Sequence, residues 1–257
     1  MRAIHLCDEL EPVPTADLCL KHNLGIEAQS FFDPQYIIDN PGAIDTYRSL
    51  LEGISQRSFH GPFAELVAGS MDPMIRDVVR HRYEETVTVA QQLDISEIVL
   101  HHGFFPHAGI PKYWSKRFVA FWKDFLIDKS PTLRFHIENL FEDDPNMIAD
   151  DLDAIDDTRV DACLDVGHVN CFAKGSPVEW VRTLGSHIGY VHLHNNHGDA
   201  DSHAALDDGT IDMLDLCLAL EEHAPSAVWA LEMKPALQPQ SLAWLESNGF
   251  WQDPTKS

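Results

Sequence analysis

The sequence predicts an α/β fold, a single (β/α)8 TIM barrel with eight parallel strands in one domain over residues 1–257. Short runs rich in β-branched and aromatic residues alternate with longer segments whose apolar residues recur every three or four positions, as in amphipathic helices. The length of 257 residues matches the roughly 250 residues of a typical barrel, so no second domain is required. An open, doubly wound sheet is the alternative that the same alternation allows.

Eight segments have the composition of buried strands. In chain order they are AIHLC (3–7), LGIEAQ (24–29), RSFH (57–60), SEIVLH (96–101), LRFHIE (133–138), VDACLD (160–165), IGYVHLH (188–194) and AVWALE (227–232). Helical patterns lie between them, for example TADLCLKHN, AIDTYRSLLEGI, MIRDVVRHRYEETVTVAQQL and IDMLDLCLALEEH. Strands that alternate with helices form βαβ units and pair in parallel, so eight such units predict a closed barrel.

The chain is strongly acidic, with 41 Asp and Glu residues against 18 Lys and Arg residues and a formal net charge of −23. Because nucleic-acid binding depends on basic side chains that neutralise phosphates, we expect no nucleic acid and no anionic membrane as a partner. The N-terminal MRAIHLCDEL lacks the apolar run of a secretion signal, and the five cysteines show no CxxC spacing. We therefore expect a cytoplasmic protein with reduced thiols.

Histidines and carboxylates stand where the predicted strands end. In a barrel these ends and the loops after them meet at one mouth, where barrel enzymes carry their chemistry. The stretch VHLHNNHGDADSH (191–203) alone contains four histidines and two aspartates. Such crowding is costly unless a cation draws the side chains together. The candidate metal ligands are His60, His101, Glu138, Asp165, His168, His192, Asp201, His203 and Glu232.

Imidazole and carboxylate donors suit divalent ions such as Zn, Mn or Fe. One ion uses about four to six ligands, so nine donors exceed what a single ion needs and imply two or three ions held together by bridging carboxylates. A single-ion site stays open as well, so we expect one to three ions per chain. Any one of these residues alone would fit an ordinary hydrogen-bonded position, and only their joint placement indicates metal. His194 lies two residues from His192 on the same strand face and could bind metal or support a ligand. His102, His107 and His197 are expected on exposed loops or against substrate.

Six motifs follow one another at these strand ends: FHGPF, IVLHHGFFP, HIEN, CLDVGH, VHLHNNHGDADSHAALDDGTID and ALE. In this order they resemble the strand-end motifs of the xylose-isomerase-like TIM barrel superfamily, which contains the sugar phosphate isomerases and epimerases and endonuclease IV. The resemblance implies a single-ion site at Glu138, Asp165, His192 and Glu232, as in the epimerases. It also implies a three-zinc site that uses all nine candidate ligands, as in endonuclease IV.

The sequence departs from the family pattern at two places. His194-Asn195-Asn196 replaces the usual HDN, and Asp207 replaces the glycine expected before DGTID. The substrate contacts expected beside the metal are His102, His194, Asn195 and Lys234. Lys234 alternates with Glu232, so it could face the mouth and bind a phosphate or carboxylate, or it could be an ordinary surface lysine.

Several functions remain open at this point. The favoured one is a metal-dependent isomerase or epimerase of a small sugar-like substrate, with Glu138 and Glu232 as base and acid and His168 holding a substrate hydroxyl. A multinuclear hydrolase of a small phosphoester, unlike the DNA-cleaving relatives, is the second. A multi-iron oxidative enzyme and a noncatalytic metal-binding barrel are further alternatives. The aromatic segment FFPHAGIPKYW (104–114) could cap the mouth or contact another subunit of a homo-oligomer.

Overall fold

The computed structural model describes residues 2–106 and 109–256, and its strands form one closed parallel barrel in the order β1 to β8, with β8 paired to β1. The strands are β1 (Ile4–Cys7), β2 (Gly25–Ala28), β3 (Arg57–His60), β4 (Glu97–His101), β5 (Arg134–Glu138), β6 (Val160–Asp165), β7 (Ile188–Leu193) and β8 (Val228–Leu231). The predicted (β/α)8 barrel is confirmed, and every strand lies within one residue of its predicted bounds at each end.

In the described part of the chain, ten α-helices surround the barrel. They are α1 (Pro12–His22), α2 (Gln35–Asp39), α3 (Ala43–Leu50), α4 (Pro73–Gln92), α5 (Pro111–Phe125), α6 (Pro145–Ile155), α7 (Val166–Phe172), α8 (Pro177–Leu184), α9 (Met213–His223) and α10 (Gln238–Ser247). Several begin with proline, whose missing N–H and fixed φ suit the first helical position. Asp72 and Asp144 accept hydrogen bonds from backbone N–H groups in the first turns of α4 and α6. Within the described residues, no helix combines the length and apolarity that a membrane crossing requires.

Side chains near the ends of the strands alternate between two environments, as β7 shows. Val191 and Leu193 of β7 belong to the large apolar core beneath the helices, whereas Tyr190 belongs to a small cluster inside the barrel and His192 follows it on that face. Successive side chains of a strand point to opposite faces, so the last inward residue of each strand reaches the mouth. This alternation positions the site.

The interior of the barrel is polar below the mouth as well. His136 donates to Glu97 at 2.8 Å and also contacts Asp161. These three side chains form a polar layer beneath Glu138. Tyr190 joins Ser58 at 2.7 Å in the barrel interior. Buried polar groups need such partners, because an unpaired one costs about 1–3 kcal/mol. The largest apolar side chains lie instead in the core between the strands and the helices, among them Trp122 and Phe118 of α5.

Candidate metal centre

Glu138, Asp165, His192 and Glu232 converge at the centre of the mouth, and each offers a donor atom within 4.8 Å of the other three. Nδ1 of His192 lies 3.5 Å from Oε1 of Glu138, 3.8 Å from Oδ2 of Asp165 and 3.1 Å from Oε2 of Glu232. Strand pairing produces this convergence, because Asp165 and His192 are register partners on β6 and β7. All four side chains are buried.

Glu138 connects this four-donor group to a second one. Its Oε2 lies 3.1 Å from Nε2 of His60 and 3.1 Å from Nε2 of His101, and the three residues form a compact donor group. Its Oε1 lies 3.3 Å from Nδ1 of His168 and 3.5 Å from His192. One carboxylate therefore faces two sets of nitrogen donors with different oxygens, as a bridging carboxylate would.

Asp201 is the centre of a third donor group on the loop after β7. Its Oδ2 lies 3.1 Å from Nε2 of His168 and 3.1 Å from Nε2 of His203. Nε2 of His194 lies 3.7 Å from Oδ1 of Asp201, and His194, Asp201 and His203 satisfy the same 4.8 Å criterion. All nine sequence-predicted ligands thus lie in one region, and His194 joins them.

The donor set fits divalent ions. Metal–ligand bonds to nitrogen and oxygen are about 2.0–2.2 Å, so two ligands of one ion stand roughly 3.0–3.5 Å apart. The spacings around His192 lie in or near this interval. Several buried donor atoms here also lack a hydrogen-bond partner, including Nδ1 of His192, Oε2 of Glu232 and Oδ1 of Asp201. Native proteins rarely leave such atoms unsatisfied.

Electrostatics favours a cation at this mouth. Burial would lower the pKa of His168, but Asp165 and Asp201 overcome it and raise that pKa to about 10. Burial opposes protonation of His203 as well, yet Glu232, Asp201 and Glu9 raise its pKa to about 12. Both shifts show that the mouth carries excess negative charge, which protons neutralise in the metal-free protein.

The two carboxylates predicted as acid and base differ in their surroundings. Burial together with Asp165 and Glu138 raises the pKa of Glu232 to about 7, even though His192 and His203 oppose the shift. Burial also acts against the ionised form of Glu138, but the rings of His101 and His192 prevail and hold its pKa well below the usual range. Near neutral pH, Glu138 is therefore ionised while Glu232 can carry a proton.

Two expected substrate contacts lie elsewhere. His102 follows His101 directly and so projects outward from the barrel, where it is fully buried between Glu142, 2.9 Å from Nδ1, and Asp151, 3.0 Å from Nε2. Lys234 is exposed and is not among the residues that line the mouth. The expectation that these two residues contact substrate therefore finds no support in their placement.

Asn195 is buried, but it organises a loop rather than the mouth. Its Nδ2 donates to the carbonyls of Leu206 at 3.0 Å and Ile211 at 3.2 Å, and its backbone pairs with Ala204. These bonds fold the loop that carries Asp201 and His203 back over the barrel. His197 is exposed, as expected for a loop residue, and His107 lies outside the described residues.

Sequence reasoning missed residues of β2 and of the loop after β1. Glu27 is fully buried and contacts His192, Gln29 contacts Glu232, and Glu9 contacts His203. The available signal was the position of Glu27 and Gln29 on one face at the end of a predicted strand.

A cavity of about 330 Å³ opens above the donor groups, near the lower end of the range for small-molecule pockets. Four apolar side chains, Leu10, Phe32, Phe63 and Leu140, form part of its wall. The other described residues that line it are Glu9, Gln29, His60, His101, Glu138, His168, Asp201, His203 and Glu232. Among these described lining residues there is no lysine or arginine.

Comparisons with known proteins give consistent results. The family model described as xylose isomerase-like TIM barrel matches residues 23–248. An uncharacterized protein of Methanocaldococcus jannaschii is 26% identical over 192 residues, which cover 68% of this chain and 63% of that protein. The match thus spans less than two thirds of the length of that curated relative.

Solved structures of similar fold cover nearly the whole chain. A D-tagatose 3-epimerase-like protein superposes with a TM-score of 0.79 at 21% identity, covering 96% of this chain and 97% of its own. A Thermus thermophilus protein soaked with ZnCl2 has a TM-score of 0.76 at 21% identity, with 97% and 99% covered. An L-ribulose 3-epimerase has a TM-score of 0.77 at 14% identity, with 96% and 94% covered. At these identities the likeness establishes a common fold.

Proposed function

Because the chain belongs to the xylose isomerase-like TIM barrel family, we propose that it is a divalent-metal-dependent isomerase or epimerase of a small sugar. One observation carries this proposal: Glu138 and Glu232 face each other across the four-donor group with pKa values shifted in opposite directions. Two carboxylates so arranged are suited to remove a proton from one side of a carbon and return one from the other. The epimerases among the solved structures of similar fold support the same reaction class.

The residues that would hold the ion are Glu138, Asp165, His192 and Glu232. A divalent ion held there would polarise a substrate carbonyl and acidify the neighbouring C–H bond. The spacing of the four donors and the unpartnered Nδ1 of His192 fit this assignment. The identity and number of the ions belong to the same proposal, with zinc, manganese and iron as candidates.

The proton moves between the chain's own carboxylates. Glu138 is ionised and accepts the proton of the carbon beside the substrate carbonyl, which leaves an enediolate. Glu232, which can carry a proton near neutral pH, returns a proton to the opposite face of that carbon. The carbon is thereby inverted with no net change of oxidation state. His168 lines the cavity, and a substrate hydroxyl bound to it would replace its contact with Asp201.

The lining of the cavity favours an unphosphorylated sugar over a sugar phosphate as substrate. Phosphate recognition normally uses arginine or lysine, and neither occurs among the described residues that line the cavity. Glu9 and Asp201 would repel a phosphate. The rings of Phe32 and Phe63 offer apolar faces for the carbon skeleton of a neutral ketose.

The test is solvent exchange at carbon. The protein loaded with Mn²⁺ or Zn²⁺ is incubated in D2O with a panel of unphosphorylated ketopentoses and ketohexoses, and the products are followed by NMR. We expect loss of the C–H signal next to the carbonyl together with the epimer, and no exchange with Glu138→Gln. His197→Ala, which changes an exposed loop histidine, should behave as wild type. A metal-loaded protein without exchange across the panel contradicts the proposal.

A second function has its own supporting observation, which is the presence of two donor groups beyond the single one that proton transfer needs. His60, His101 and Glu138 form one group, and Asp201 with His203 and His194 forms the other. Such an arrangement suits a multinuclear hydrolase of a small phosphoester. Release of p-nitrophenol from bis(p-nitrophenyl) phosphate by the zinc-loaded protein, without carbon exchange on the ketose panel, would favour this function over the first.

A further inference from the structure

Glu27 lies at the end of β2, directly behind His192, and both side chains are fully buried. Each carboxylate oxygen of Glu27 is 3.1 Å from Nε2 of His192. An ionised carboxylate only accepts hydrogen bonds, so His192 must carry a proton on Nε2. Its Nδ1 is then the nitrogen that faces the four-donor group, 3.1 Å from Glu232.

Gln29, two residues further along, connects Glu27 to a second predicted ligand. Its Nε2 donates to Oε1 of Glu27 at 3.0 Å and to Oε1 of Glu232 at 2.7 Å. Both N–H bonds of the amide are thereby used, and Glu232 keeps Oε2 free on the side of His192. One strand thus tethers the ligands of β7 and β8, which are more than 160 residues away in sequence.

We infer that Glu27 and Gln29 are positioning residues for the metal centre. Glu27 fixes the tautomer and ring orientation that present Nδ1 of His192 to a divalent ion, and Gln29 fixes Glu232 with Oε2 turned inward. The carboxylate of Glu27 has ligand spacing to Cys7, His192 and Glu232, but its oxygens contact His192, Gln29 and the thiol of Cys7, and we assign it a supporting role. The inference rests on the proposed function for the presence of the ion, and it holds equally for an isomerase and a hydrolase.

Two other candidate ligands, His60 and His168, also have a hydrogen-bond acceptor that sets the ring tautomer, but on Nδ1 rather than on Nε2. Nδ1 of His60 lies 2.8 Å from the carbonyl of Gly61, which leaves Nε2 to face Glu138. Nδ1 of His168 lies 2.8 Å from the carbonyl of Asn139 in the same manner. In each of these two rings a backbone carbonyl accepts from Nδ1, which sets the tautomer and leaves Nε2 as the free nitrogen. Glu27 has the same role for His192, with a charged carboxylate in place of a backbone carbonyl.

The experiment compares zinc affinity in wild type, Glu27→Gln and Glu97→Gln, measured by competition with a chromophoric chelator. Glu27→Gln keeps the shape of the side chain but removes its charge, so Nδ1 of His192 becomes less basic. We expect zinc to bind about 10- to 100-fold more weakly, the usual cost of losing such a partner, with the number of ions per chain unchanged. Glu97→Gln is the matched control, because Glu97 also accepts from a buried histidine of the barrel, His136 at 2.8 Å, without contacting the mouth.

A second variant and a spectroscopic signal separate positioning from folding. Gln29→Met removes the hydrogen bond to Glu232 and should also weaken zinc binding. In the zinc-loaded protein labelled with ¹⁵N-histidine, the Nε2–H proton of His192 should resonate far downfield in wild type, because its acceptor is a carboxylate, and should move upfield in Glu27→Gln. Circular dichroism of the metal-free variants verifies that each one folds.

Three results would overturn the inference. Wild-type zinc affinity in Glu27→Gln would show that the carboxylate does not support His192. Loss of one whole equivalent of zinc would make Glu27 a ligand. An equal loss in Glu97→Gln would make the effect a general consequence of removing a carboxylate that supports a histidine of the barrel. The first and third leave the proposed function standing, whereas a wild-type protein that binds no zinc contradicts both.

Discussion

Loading the mouth of the barrel with zinc should release protons, and the number released should report which donor groups are filled. In the metal-free protein His168 has a pKa of about 10 and His203 a pKa of about 12. Burial opposes protonation of His192, but Glu232, Glu27 and Glu138 raise its pKa well above the ordinary value. All three rings are therefore protonated at pH 8, and each must lose one proton to bind metal.

The sign and size of the effect follow from this protonation. Each released proton makes the apparent zinc affinity rise tenfold per pH unit, or about 1.4 kcal/mol, until the pH reaches the pKa of that ring. Filling only the four-donor group displaces the proton of His192 and gives a slope of one. Filling the group around Asp201 as well displaces those of His168 and His203 and gives a slope of three. His101 contributes nothing, because burial lowers its pKa and keeps the ring neutral.

The assay is isothermal titration of the protein with Zn²⁺ at pH 8 to 9 in buffers of different ionisation enthalpy, which yields the protons released per ion. The interval lies above the pKa of about 7 for Glu232, so that carboxylate contributes little. Binding without proton release, or an affinity that falls as the pH rises, would refute the reasoning. The metal-free circular dichroism spectrum at each pH controls for unfolding.

Three substitutions test other parts of the molecule. Glu138→Ala should abolish metal loading and turnover, because the four-donor group and the group with His60 and His101 share this carboxylate. Metal analysis and the exchange assay measure both effects, and retained activity would reject the site. His102→Ala should lower the free energy of unfolding, measured in urea, by about 3–5 kcal/mol, because two buried carboxylates lose their cationic partner, while zinc still binds. Burial disfavours the charged form of His102, but those carboxylates raise its pKa to about 9. The stabilisation from this charge is therefore complete below the unfolded-state pKa of about 6.5 and should disappear as the pH rises through 9. A wild-type free energy of unfolding that is level between pH 7 and 10 would contradict this. Gly167→Ala would place a Cβ far inside van der Waals contact with the ring of His194. It should lower the free energy of unfolding in urea by about 1–3 kcal/mol. A wild-type free energy of unfolding in this variant would show that the ring moves aside freely.

The periodicity of the apolar residues and the order of the strand and helix segments were enough to predict the barrel. Eight apolar runs with helical intervals correspond to β1–β8 because parallel strands buried on both sides carry a dense local signal. The same period places Glu138, Asp165 and His192 at strand ends that face inward. Their convergence required only the rule that a barrel has a single mouth. Family membership follows from the order of these motifs and is confirmed by the match over residues 23–248.

His102 and Asn195, which the sequence suggested as substrate contacts, show where local sequence signals are insufficient. His102 follows His101 directly, so alternation places it on the opposite face of the strand, and its two carboxylate partners lie 40 and 49 residues further along the chain. Asn195 looks like a mouth residue because it follows His194, yet its amide closes the loop through Leu206 and Ile211. Both functions depend on tertiary partners that sequence spacing does not reveal.

Glu27 illustrates the reverse error. A single glutamate in a predicted strand carries no metal-ligand spacing, and its partner His192 is 165 residues away. Only the closure of β1 through β8 brings β2 across the barrel from β7. Supporting residues of this kind are therefore harder to recognise from one sequence than the ligands they support, because the ligands belong to motifs and the supports do not.

The most direct measurement is anomalous diffraction from crystals of the protein grown with excess Zn²⁺ or Mn²⁺. We predict an ion bonded at about 2.0–2.2 Å to Glu138, Asp165, His192 and Glu232, with Nδ1 as the ligand atom of His192. Further anomalous peaks beside His60 and His101, or beside Asp201 and His203, would mark the additional groups. Metal-replete crystals that show only ordered water among these four side chains would contradict the central claim.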